Sequence, residues 1–261
     1  WYVPQRYFDR YPMDRVVLPP VFDSDLEDVP AIGRKFAAVA RDRLTQIQSQ
    51  ALWESAVQGY LAAISFADAQ IGRLFEALHN SDFAGTTIVV FYSDNGFHMG
   101  EKDHISKCTL WQRSTHVPFV IAGPDITPRR CDCNVNLQDI YPTLVDLCGL
   151  PPPKQLDGHS LQPLLRDPEA VRDQPSLSTF QPGNHALCLE QWRYIRYADG
   201  GEELYDRHND PNEWTNLAAL REFDKLKRDL QQFLPQHNAA PVPVKTDYDF
   251  NCTNHEWRLL T

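Results

Sequence analysis

Asp94 and Asn95 stand side by side just past the apolar run Thr87-Ile88-Val89-Val90-Phe91, after Tyr92-Ser93 and with Gly96 behind them. A carboxylate next to a carboxamide offers the hard oxygen donors that a calcium-like ion takes. A histidine in place of Asn95 would favour zinc instead. His98, His104 and Lys107 follow in the same loop. The Lys107 ammonium is a point charge suited to the non-bridging oxygens of a sulfate or phosphate, where it would stabilise charge developing in the transition state. His104 is placed to donate to the same anion or to protonate a leaving group, whereas His98, nearer the turn, reads as structural. Alone, Ser93-Asp94-Asn95-Gly96 also suits a plain turn, and Lys107 would be a surface lysine. The combination points to metal-assisted hydrolysis of an anionic ester.

The elements around this loop follow from periodicity. In an open α/β sheet, ligands bind at the carboxyl ends of the strands, which is where Asp94 and Asn95 lie if Thr87–Tyr92 is a strand. That run and Val117–Ala122 read as fully buried strands. Leu61, Ile64, Ala67, Ile71, Leu74, Phe75 and Leu78 recur at three- and four-residue intervals, predicting an amphipathic helix from about Gln58 to His79. A short helix is expected from Asp139 to Leu147, stopped by Gly149. Trp192–Tyr197 alternates aromatic or aliphatic with polar and basic residues, as a half-exposed antiparallel strand does. Asp199-Gly200-Gly201 is its hairpin turn and Glu203-Leu204-Tyr205 the return strand. A last helix is expected from about Leu217 to Phe233, and the proline- and aromatic-rich stretch from Trp1 to Pro30 as an extended arm. The expected fold is α/β: a mixed sheet flanked by helices over residues 1–165, then a smaller α+β part over 166–261 with an antiparallel sheet.

Bulk properties narrow the function. The chain has 261 residues, 42% of them hydrophobic, and a formal net charge of −10, which argues against nucleic-acid binding through a basic face. An anionic substrate would then have to meet a local positive patch. No run of about 18 apolar residues exists to span a membrane. Six cysteines in this length read as scattered thiols or one or two bridges rather than a disulfide framework. Cys131 and Cys133 are one residue apart, which strains a direct bridge, and no histidine lies near them at zinc-finger spacing. Asn251-Cys252-Thr253 is a variant glycosylation triplet.

Ser93-Asp94-Asn95-Gly96-Phe97-His98-Met99-Gly100-Glu101-Lys102, then His104, Lys107 and Thr115-His116-Val117-Pro118, together resemble the type I sulfatases of the alkaline phosphatase superfamily. The branch that includes iduronate-2-sulfatase looks nearest. Trp1-Tyr2-Val3-Pro4 with Tyr7-Phe8-Asp9, the helix over Tyr60–Leu78, Asp139-Ile140-Tyr141-Pro142-Thr143-Leu144 and Arg193-Tyr194-Ile195-Arg196-Tyr197 with Glu203-Leu204-Tyr205-Asp206 extend the likeness along nearly the whole chain. The resemblance implies a calcium ion held partly by Asp94 and Asn95, Lys107 and His104 on the sulfate, and His185, from the loop Gly183-Asn184-His185, at the pocket mouth. It also implies a formylglycine nucleophile within a Cys/Ser-x-Pro-x-Arg segment, and no such segment occurs in these residues. The chain therefore reads as the C-terminal half of a sulfatase, inactive by itself, whose nucleophile comes from an N-terminal half in the same or a separate chain. The expected substrate is a sulfated sugar or polysaccharide. A phosphodiesterase or phosphonate hydrolase of the same superfamily and a non-catalytic sulfatase-like binding protein are the alternatives. Family members acting on glycans are periplasmic, secreted or lysosomal.

Overall fold

A computed structural model describes residues 1–239, 248–251, 253 and 256–259. Eight α-helices and ten strands are formed among the described residues. The first 30 residues carry a one-turn helix α1 (Gln5–Phe8) and lie against the long helix described below rather than running fully extended. Helices α2 (Ala31–Ala38) and α3 (Arg41–Ser49) follow. Ala51, at φ 53°, breaks the chain before α4 (Trp53–His79), which starts five residues ahead of the expected Gln58. At 1.5 Å per residue that helix is roughly 40 Å long.

The small side of α4 is the packed one. Val57, Gly59, Ala62 and Ser65 are buried, and Ser65 Oγ and Gln58 Nε2 bond Tyr11 at 2.7 Å each. Trp1 packs edge to face against Tyr60 and Phe97, which stack on each other. The larger apolar residues Ile64, Leu74 and Phe75 remain exposed among the described residues.

Strand β1 (Val89–Tyr92) ends at the acid–amide pair. It is followed by the two-residue strands β2 (His98–Met99) and β3 (Ile105–Ser106), which pair with each other, the short helix α5 (Gln112–Thr115), and β4 (Phe119–Ala122). β1 and β4 form an antiparallel ribbon, Val89 opposite Ala122 and Tyr92 opposite Phe119. The two runs expected as buried strands are thus shorter than read, and half-exposed. Their apolar composition is real, but the Tyr92 and Val120 side chains are only half covered by the described residues.

Helix α6 (Ile140–Leu147) is preceded by a tight turn in which Asn136 and Asp139 cap each other reciprocally, and Gly149, at φ 63°, ends it. Helix α7 (Gln162–Arg166) leads to a four-stranded antiparallel sheet in the order β5 (Ser176–Thr179), β6 (His185–Leu189), β7 (Trp192–Arg196), β8 (Glu202–Asp206). The hairpin expected at Asp199-Gly200-Gly201 joins β7 to β8, with Gly200 at φ 93°.

Alternation in β7 is present, yet both faces are covered. Tyr194 lies with Leu187, Leu204 and Leu230, while Ile195 and Tyr205 lie with Phe36, Leu110 and Trp111. The second cluster joins residues on both sides of the boundary placed at 165, so the two parts share a core. Helix α8 (Asp224–Gln231) is shorter than the expected 217–233, because Leu217 is drawn out to donate its N–H to Leu204 at 2.8 Å. Strands β9 (Tyr248–Asn251) and β10 (Glu256–Leu259) pair antiparallel; Cys252 of the glycosylation triplet lies outside the described residues. No helix among the described residues is long and apolar enough to cross a membrane.

Candidate active site

The loop after β1 is held from both ends. Gly96 donates its N–H to Ser114 O at 2.9 Å, and a β-carbon at Gly96 would collide with the carbonyl oxygen of Arg113. A glycine is therefore needed where the chain from β1 passes α5. Gly100 has φ 137° and lies against Trp53, whose indole N–H donates to Met99 O at 2.6 Å. Lys102, only 2% exposed, sits at φ 56° with its ammonium 2.5 Å from Asp25 Oδ1, bonded to Glu213 O and over the Trp111 and Tyr205 rings. Burial raises the Asp25 carboxyl above its ordinary value, and the Lys102 charge opposes that shift.

His98 is fully buried between Glu101 O at 3.0 Å and Thr109 Oγ1 at 2.9 Å. Burial first, and His104 second, lower its pKa to about 3, so the ring is neutral. It is a brace for the loop, as its place near the turn suggested.

Asp94, Asn95 and Lys107 converge. All three line one cavity of about 830 Å³, and Lys107 Nζ donates to Asn95 Oδ1 at 2.8 Å. The same walls carry His116, Arg130, Arg193 and Arg207, against the carboxylates of Asp94 and Asp132. On a chain of net charge −10 this is the local positive patch that an anionic ligand needs. Burial, then Arg193, Arg207 and Arg113, lower the His116 pKa, which favours its neutral ring. Arg193 is fixed by Glu213 at 2.5 Å, Leu110 O at 3.1 Å and Thr115 Oγ1 at 2.9 Å, so strand β7 is tied to the cavity wall.

Two expected contacts are placed elsewhere. His104 is 1% exposed, with Nδ1 2.8 Å from Ala37 O and Nε2 3.0 Å from Lys107 O. Neither ring nitrogen is turned to the cavity; the ring instead holds the Lys107 main chain. His185 lies on β6, buried between Thr179 Oγ1 at 2.9 Å and Asn238 Oδ1 at 3.0 Å, and does not line the cavity. Conversely, His116, Arg193 and Arg207 reach the cavity although no chemical role was expected of them. Arg193 was disguised by strand alternation, and His116 carried a signal only as part of Thr115-His116-Val117-Pro118.

Asp94 and Asn95 both line the cavity and carry oxygen donors of the kind a hard cation takes, the Asn95 Oδ1 accepting from Lys107 Nζ in this structure. Calcium takes six to eight oxygens. No group of three or more His, Cys, Asp or Glu able to hold an ion exists among the described residues, so the pair could supply at most part of one coordination sphere.

The family model "Sulfatase" matches residues 4–150, and the model of the C-terminal part of N-sulphoglucosamine sulphohydrolase matches residues 100–240. A protein named "Sulfatase" from Formosa agariphila is 38% identical over 251 residues, covering 95% of this chain and 49% of that protein. Arylsulfatase K of Homo sapiens is 33% identical over 193 residues, covering 67% of this chain and 35% of that protein. The chain thus spans half or less of the length of these relatives. Among solved structures, a 2-O GAG sulfatase superposes with a TM-score of 0.67 at 25% identity, over 83% of this chain and 51% of that one. The phosphonate monoester hydrolase of Agrobacterium radiobacter superposes with a TM-score of 0.74 at 24% identity, over 88% of this chain and 52% of that one.

Proposed function

We propose that this chain, which belongs to the sulfatase family, is the part of a sulfuric-ester hydrolase that cradles the O-sulfate of a sulfated sugar. The observation carrying this reading is the convergence of Asp94, Asn95 and Lys107 on one cation-rich cavity, with Lys107 Nζ 2.8 Å from Asn95 Oδ1. Asp94 and Asn95 would hold a calcium ion, their remaining co-ligands coming from polypeptide beyond these 261 residues. When bound, such an ion supplies Lewis-acid polarisation of an ester oxygen. Lys107 places its ammonium where the non-bridging oxygens gain charge, a contact that strengthens as the S–O bond breaks. His104 acts at one remove, fixing the Lys107 carbonyl so that the side chain starts from a defined point. The Arg207 and Arg193 guanidinium groups keep the cavity attractive to anions while held by their own partners.

The nucleophile belongs to the same proposal. A formylglycine made in a Cys/Ser-x-Pro-x-Arg segment would have to be supplied by an N-terminal half, since these residues contain no such segment. Sulfated saccharide as substrate class is supported by the likeness to a 2-O GAG sulfatase. Within the family, the chain would belong to the branch that includes iduronate-2-sulfatase, beside its similarity to arylsulfatase K.

Assay of the complete protein on matched sulfate and phosphate esters tests the reading. The expected result is sulfate-ester hydrolysis, reduced ~10²-fold or more in Lys107→Ala without loss of folding, as removal of a charged transition-state contact does. A clear preference for phosphate or phosphonate esters would give the site to the other hydrolase class, with which the chain shares a fold. An unchanged rate in Lys107→Ala would remove that residue from the site.

A further inference from the structure

Four of the six cysteines, Cys108, Cys131, Cys133 and Cys188, line the cavity that holds Asp94, Asn95 and Lys107. Cys131 and Cys133 differ from the others in being paired by the chain itself. They lie two residues apart in the irregular stretch between β4 and the turn before α6, and both line the cavity. Asp132 between them lines the same cavity and is bonded to Arg130 at 2.9 Å. Both thiols are free. Burial first, and then the Cys131 thiol beside it, raise the Cys133 pKa above its ordinary value.

The backbone carrying the pair is anchored on both sides. Arg129 Nη1 donates to Arg166 O at 2.8 Å, and Asn134 Nδ2 to Glu190 O at 2.9 Å. The Cys131 thiol itself points to Pro168 O at 3.4 Å. The segment is therefore held in place while the sulfurs remain accessible from the cavity.

Two neighbouring thiols with no third ligand select a particular chemistry. A closed zinc site needs four N or S donors, and no group of three or more His, Cys, Asp or Glu stands ready among the described residues. A direct disulfide between residues i and i+2 requires its own narrow geometry. A single soft atom inserted between the sulfurs avoids both demands, because thiolates are the preferred ligands of soft centres.

We propose that Cys131 and Cys133 form a dithiol site for a soft, thiophilic centre, a trivalent arsenical being the type case, on the wall of the proposed catalytic cavity. With an organic arsenic(III) oxide, two S–As bonds form and the arsenic–oxygen bonds break. The oxygen leaves as water with the two thiol protons, and no oxidation state changes. The site does not depend on the sulfatase reading, because it needs only the two thiols and their anchored backbone.

The test is intact-mass spectrometry of the complete protein, kept reduced, after exposure to phenylarsine oxide. The expected result is uptake of one phenylarsenic group in place of two hydrogens, stable to a monothiol wash and removed by a dithiol such as 2,3-dimercaptopropanol. Cys131→Ser and Cys133→Ser should each abolish the stable adduct, while Cys108→Ser and Cys148→Ser should keep it. No uptake, an adduct lost to monothiol, or an adduct retained in the Cys131→Ser/Cys133→Ser double variant would overturn the proposal. Thermal unfolding of both serine variants, expected to match the parent, separates loss of the ligand from loss of the fold.

Discussion

His104 shows how a residue type can be right for catalysis while its placement assigns it another task. Its two nitrogens face two carbonyl oxygens, Ala37 O and Lys107 O, in a site closed to solvent. A buried polar side chain with both partners present is costly to remove. His104→Ala should therefore lower stability by about 1–3 kcal/mol, read from chemical denaturation, because the carbonyl that accepts the ring N–H loses its donor. In the complete enzyme the same change should lower kcat by loosening Lys107, with the pH profile keeping its shape. Loss of the acidic or basic limb of that profile in His104→Ala would instead make the ring a proton donor or acceptor in the reaction.

His98 gives a pH signature at the same scale. Its folded pKa, about 3, lies below the ordinary 6.5 that applies to an unfolded chain. Between those values the unfolded state binds the extra proton, so stability rises with pH there. The contribution is complete above about pH 6.5 and is lost progressively as the pH falls towards 3. His98→Gln should flatten the slope of unfolding free energy over that window, measured by urea titrations at several pH values. An unchanged slope would mean that the ring is not held neutral by burial.

At the scale of elements, the loop between β1 and α5 depends on a single close approach. Gly96 passes so near Arg113 O that any side chain must push the loop after β1 away from α5. Gly96→Ala should cost about 1–3 kcal/mol by forcing that separation. It should also reduce hydrolysis by the complete protein more than a surface glycine change such as Gly85→Ala, where a β-carbon meets open space. Equal effects of the two substitutions would contradict this placement.

Strand-ending motifs of this kind were legible because their residues are chemically specific and adjacent in sequence. The hairpin at Gly200 and the helix stop at Gly149 were legible for the same reason, a positive φ that favours glycine. Helices α2 and α3 were missed: α3 has only Leu44 buried and lacks a strong apolar stripe. Burial of Arg193 was missed too, since a strand alternating with basic residues signals a solvated face until both faces are covered by other elements.

For the whole molecule, the division at residue 165 was drawn from a change in pattern, from helix-flanked strands to an antiparallel sheet. That change is visible in the strand orders, but long-range contacts cross it. Trp111 Nε1 donates to Glu203 Oε2 at 2.7 Å, Gln112 N to Glu213 Oε2 at 2.9 Å, and Lys102 reaches both Asp25 and Glu213 O. The sheet β5–β8 thereby buttresses the loop that bears Lys107, which no local periodicity could reveal. The cavity itself was likewise beyond sequence reading, because its walls come from segments more than a hundred residues apart, Asp94 and Arg207 among them.

The most direct measurement is a crystal structure of the complete protein with Ca²⁺ and a bound sulfate ester or inorganic sulfate. The expected result is an ion about 2.3–2.6 Å from oxygens of both Asp94 and Asn95, with Lys107 Nζ hydrogen-bonded to a sulfate oxygen. Calcium held elsewhere, with Asp94 and Asn95 free of it and Lys107 turned from the anion, would contradict the assignment of this cavity as the sulfate site.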